Sequence, residues 1–83
     1  MGENAMRIRC KSRREGAAPL EAVVTISTAH GRTEEVIVHR GLVDEGSLEV
    51  YYIGEQEGLL LIELPHQAMS GRWRVWVPKS TVA

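Results

Sequence analysis

A chain of 83 residues with 43% hydrophobic content, a formal net charge of −1 and one cysteine is long enough for one domain, and its core must be thin. The lone thiol excludes an intrachain disulfide, and the longest apolar run, Leu59 to Ile62, is too short to cross a bilayer as a helix. No charged-then-apolar leader opens the chain, so the expected setting is cytoplasmic and reducing, with no membrane partner.

Phe is absent, and Val, Ile and Leu supply most of the apolar side chains, a composition suited to pleated strands. Met1 to Ala5 has no pattern and reads as a disordered N-terminal tail, leaving residues 6–83 as a single all-β domain. Strict alternation from Met6 to Arg13 predicts a first strand with Met6, Ile8 and Cys10 inward and Arg7, Arg9, Lys11 and Arg13 outward. After a turn at Gly16 and Pro19, Leu20, Ala22, Val24, Ile26 and Thr28 mark one face of a second strand. His30 and Gly31 centre a tight hairpin leading to the third strand, Thr33 to Arg40, with Val36 and Val38 inward.

Gly41 to Gly46 is rich in turn formers and precedes a fourth strand from Ser47 to Ile53. Its Leu48, Val50 and Tyr52 oppose Glu49, Tyr51 and Ile53. The Gly54 to Gly58 connection has hairpin length, and strands five (Leu59 to Leu64) and six (Arg72 to Val77) follow. Pro65 to Gly71 joins that last pair, with room for one helical turn across His66 to Ser70. About six antiparallel strands with compact connections predict an all-β meander curled into a small barrel or sandwich.

In the closing segment WVPKSTV, Pro78 and Val82 stand at the spacing of the proline and valine in the final strand of Src-homology 3 domains, which this segment resembles. Thr81 occupies the place of that family's usual tyrosine, and no acidic-aromatic opening motif is present. The resemblance therefore implies an SH3-like barrel topology and nothing about a polyproline groove.

Strands four to six carry apolar residues on both faces. A strand with one buried face needs them only at alternate positions, so Tyr51, Ile53, Leu59, Leu61 and Trp76 call for a second cover. Another subunit is the favoured cover and the curled sheet itself the alternative, because contiguous apolar patches on a monomer usually mark interfaces.

Charge is unevenly distributed. Arg7, Arg9, Lys11, Arg13 and Arg14 open the chain, Arg72, Arg74 and Lys79 close it, and most acids lie between Glu15 and Glu63. If the terminal strands were neighbours, Arg7, Arg9, Lys11, Arg72 and Arg74 would form one cationic strip around Trp76, the arrangement that holds single-stranded nucleic acid. The bland alternative pairs basic strands beside acidic ones on a solvated surface.

Metal and catalytic motifs are lacking. His30, His39, His66 and Cys10 do not stand at zinc-ligand spacing, Cys10 falls on an inward face, and the serines lack a nucleophile elbow. No glycine cluster cradles phosphate, so no cofactor is expected. The resulting expectation is a non-catalytic binding module acting through protein contacts, foremost self-association. A nucleic-acid binder ranks second, and an enzyme with an inter-subunit cleft near His39 or His66 last.

Overall fold

The computed structural model describes residues 4–83. Eight strands lie among them: β1 (Ala5–Arg9), β2 (Ser12–Glu15), β3 (Glu21–Ser27), β4 (Thr33–His39), β5 (Val43–Asp44), β6 (Ser47–Gln56), β7 (Leu59–Glu63) and β8 (Arg74–Pro78). The all-β expectation holds, but the strands form two antiparallel sheets and no closed barrel. One sheet has the order β1-β6-β7-β8 with β5 also against β6, and the other the order β2-β3-β4.

The first predicted strand accounts for much of the difference from six. It breaks at Cys10 and Lys11 and serves both sheets: the Cys10 N–H donates to the Gly46 carbonyl at 2.8 Å, whereas the Lys11 N–H donates to Thr25 at 2.7 Å. β1 therefore pairs with β6, and β2 with β3. β5 is the other addition. Glu45 and Gly46 both take positive φ, 50° and 78°, and this tight turn folds Val43 and Asp44 back onto Leu48 and Ser47. Order also begins earlier than the alternation indicates, with Ala5 in β1 and the Asn4 carbonyl accepting from the Tyr52 N–H. The rest of the expected tail, residues 1–3, lies outside the described residues.

Between the sheets lies a core of branched aliphatics: Ile8, Val24, Ile26, Val36, Val38, Leu48, Val50, Ile62 and Val77 among others. Met6 and Cys10 pack against it as the alternation of β1 requires. Two residues assigned inward are outside it. Leu20 precedes β3 and is exposed, and Tyr52 is exposed at the β6 bulge.

Two segments cover sheet edges. Val82 bridges Ile8, and the Ala83 N–H donates to the Arg7 carbonyl, closing the outer side of β1. Pro78 and Val82 are joined by a 3-10 turn over Lys79–Thr81, yet a flat sheet would separate β8 from the far side of β1 by about 19 Å at the usual strand spacing. Four residues span at most about 14 Å even fully extended, so this sheet must be strongly curled. The second cover is the Pro65–Gly71 connection, where no helical turn forms. Ala68 instead bridges Val36, and the Met69 N–H donates to the Glu35 carbonyl at 2.8 Å, so β4 takes up these backbone groups.

Candidate functional site: the outer face and open edge of the larger sheet

Strand register brings most of the doubly apolar residues together. Leu61 stands between Gly54 of β6 and Trp76 of β8, Leu59 between Gln56 and Pro78, and Glu63 between Tyr51 and Arg74. Directly paired residues point to the same face, so Tyr51, Leu59, Leu61, Trp76 and Pro78 share the side away from the core. All five are half-buried, and no further layer of strands among the described residues lies over them. Gly54 has no side chain beside Leu61, and a Cβ there would meet nothing within 4 Å, so the face is indented at that point.

Ile53 leaves this row. The pairing shifts between Tyr52 and Gly54, so Ile53 is the extra residue of a β-bulge without a partner on β7. Alternation cannot locate such a slip, because each side of the bulge is regular by itself. A charged pair borders the apolar row, with the Arg74 Nε to Glu63 Oε1 contact at 3.0 Å, while the Lys79–Glu55 pair at the far end of β8 belongs to the other face, where Glu55 is paired with Leu60.

The cationic residues are distributed differently from the strip envisaged. β1 and β8 lie at opposite edges of the sheet, with β6 and β7 between them, because the chain returns to β1 only through β6 and the C-terminal residues. Arg7 is engaged internally: its Nε donates to Ser47 Oγ at 2.7 Å and its Nη2 to the Ser47 carbonyl at 2.9 Å. Arg9 donates to the Val82 and Ser80 carbonyls, holding the C-terminal segment in place. Lys11 is exposed at the corner between the sheets.

Arg72, Arg74 and Trp76 do come together. With Leu59, Val75 and the β3–β4 turn residues Thr28, Ala29, His30 and Arg32, they line a groove of about 470 Å³ along β8. Glu57 is the acidic side chain in this lining. Arg72 reaches Glu34 only at 3.8 Å, and among the described residues Arg32 forms no ion pair. The turn is shaped by His30 and Gly31, at φ 62° and 70°, which hold it beside β8.

A second exposed apolar surface was not legible in the sequence. Trp73 is 51% exposed and shares a shallow concavity with Leu20, Ile37, His39 and His66, where Leu20 is 60% and Ile37 41% exposed. Trp73 has the same parity as the inward Val75 and Val77, but it precedes β8 and falls beyond the core. Alternation places Trp73 inside a sixth strand that starts at Arg72, whereas β8 begins at Arg74.

His39 Nδ1 accepts the Gly41 N–H at 2.9 Å, and no group of three or more His, Cys, Asp or Glu among the described residues could hold a metal ion. Burial pushes the Cys10 thiol up from its ordinary value, with Arg7 and Arg13 pulling it partly back, so the thiolate needed for nucleophilic chemistry is disfavoured. No helix among the described residues is long and apolar enough to cross a membrane. No family model matches this chain, and no curated protein and no solved structure matches it.

Proposed function

We propose that this protein is a non-catalytic binding module working through protein contacts, with a second copy of itself as the first partner. The observation that carries this reading is the placement of Leu61 directly opposite Trp76 on an outer face that also bears Leu59, Tyr51 and Pro78. Covering it would remove apolar area from water at about 25 cal/mol per Å². An 83-residue chain with a thin core has reason to gain stability in this way. The bent β1–β2 segment and the return of Val82 to Ile8 support describing the two sheets as walls of an SH3-like small barrel, and the curled sheet presents the row on its convex side.

Sedimentation velocity across a dilution series tests the reading. The wild type is expected to dissociate on dilution, and Leu61→Glu and Trp76→Ser to be monomeric at every concentration. Trp73→Ser should associate normally, because Trp73 lies outside the row. A wild type that sediments as a monomer at every concentration rejects self-association, and loss of assembly in Trp73→Ser alone moves the interface to the other surface.

A further inference from the structure

The open edge of β8 shows how a different partner could be recognised. Four strand edges bound the two sheets among the described residues; two are closed and a third is charged. β1 is closed by Val82 and Ala83, and β4 by Ala68 and Met69. β2 is a short exposed run of Ser12, Arg13, Arg14 and Glu15, the kind of charged edge that discourages strand addition. β8 differs, since its central residues are Val75, Trp76 and Val77.

Hydrogen-bond phase identifies the groups left over on β8. The Leu64 N–H donates to the Trp73 carbonyl at 2.8 Å, so the antiparallel alternation turns the backbone groups of Trp73, Val75 and Val77 toward β7. Those of Arg74 and Trp76 point the opposite way, and no other hydrogen bond among the described residues reaches them. The free stretch is bounded on both sides: the Arg72 carbonyl accepts from the Ala68 N–H at 2.8 Å, and the Pro78 carbonyl accepts from Thr81 Oγ1 at 2.7 Å. Pro78 has no N–H to offer. Arg74 to Trp76 is therefore a short edge with two donors and two acceptors.

The groove beside this edge supplies selectivity. Arg32 and His30 line it from the turn and Arg72 and Arg74 from β8; Glu57 lies in the lining, Arg74 is held by Glu63 and Arg72 reaches Glu34 at 3.8 Å, so Arg32 is the lining arginine without an ion pair among the described residues. A second copy adding its own β8 here would bring Arg72, Arg74 and Lys79 of each chain toward the same residues of the other, a repulsive arrangement. We infer that the β8 edge binds an extended acidic segment of another protein by strand addition, its backbone pairing with Arg74 and Trp76 and its carboxylates facing Arg32 and Arg72. This surface shares the Trp76 and Leu59 side chains with the outer-face row, differs from it in using the backbone edge of β8, and does not depend on self-association.

The test is NMR titration of the ¹⁵N-labelled Leu61→Glu protein, which removes the proposed self-association, with two synthetic peptides of alternating sequence, one glutamate–valine and one lysine–valine. The glutamate peptide is expected to shift the Arg74 and Trp76 backbone amides and slow their hydrogen exchange, and the lysine peptide to leave both unchanged. Arg32→Glu, at an exposed position outside the core, should keep the thermal midpoint and weaken the glutamate peptide by about fivefold, the scale of one exposed ion pair. Equal response to the two peptides, no response to either, or shifts confined to residues away from β8 would each overturn the proposal. Because the protein used cannot use the outer-face row, these outcomes are independent of whether the wild type dimerises.

Discussion

The two sheets treat their outer faces in opposite ways. On the three-stranded sheet, Val23 points away from the core, yet it is only 8% exposed. Arg14 and Ile37 stand directly beside it on the same face, and Arg14 is anchored to Glu35 at 2.8 Å, so an arginine stem roofs one valine. On the five-stranded sheet, Leu59, Leu61, Trp76, Tyr51 and Pro78 share the outer face, and the ion pair Arg74–Glu63 stands at its border. One outward apolar residue can be sheltered by neighbouring charged stems. Ile37, on the same face, stays 41% exposed, so the smaller sheet shelters one apolar residue and leaves another bare, whereas the larger sheet carries five half-buried ones side by side.

Neighbouring residues of β7 offer the sharpest way to break the comparison. Ile62 is fully buried and Leu61 faces outward, so in dilute monomer Ile62→Ala is expected to cost about 3 kcal/mol and Leu61→Ala about 1 kcal/mol in urea unfolding. Equal losses would show that the outer row is packed as tightly as the core. Next comes Gly58→Ala in the β6–β7 turn, where φ is 79° and Glu57 at 52° is also left-handed. A loss of about 1 kcal/mol is expected, with no change in assembly, because the turn sets register and touches neither side of the row.

Arg14→Ala asks whether the roof over Val23 matters. The ion pair is exposed, so its removal should cost under about 1 kcal/mol, and a larger loss in thermal unfolding would mean that the stem, not the charge, shields the sheet. The smallest effect concerns Cys10. Burial raises its pKa in the folded state above the ordinary 9.0, so the folded protein retains this proton after the unfolded chain has lost it. The contribution is full below the unfolded value and fades as pH rises through the folded one. Cys10→Ala should therefore lose less stability than wild type between neutral and alkaline pH, and indistinguishable pH profiles would refute a buried, proton-holding thiol.

Strand positions and their inner faces could be anticipated because alternation reports which side of a pleated strand meets water. Val36, Val38, Leu48, Val50, Leu60 and Ile62 fall where that periodicity puts them. The gathering of Tyr51, Leu61 and Trp76 on one outer face was legible for the same reason. Ile53 was not, since a bulge inserts one residue and resets the alternation without leaving a compositional mark. The groove residues His30 and Arg32 were also hidden: they come from the turn of the other sheet and meet β8 only in three dimensions.

From the amino-acid order alone follow an all-β chain, the inward aliphatic set and the second apolar face of strands β6 to β8, because these are local consequences of a two-residue period. Tertiary structure decided the division of the first strand between two sheets, the separation of β1 from β8, and the sealing of the β1 and β4 edges, which leaves those of β8 and β2 without a covering segment. Those features depend on which distant strands exchange backbone hydrogen bonds, and a backbone N–H is chemically the same at every residue except proline, so side-chain pattern carries little record of its partner.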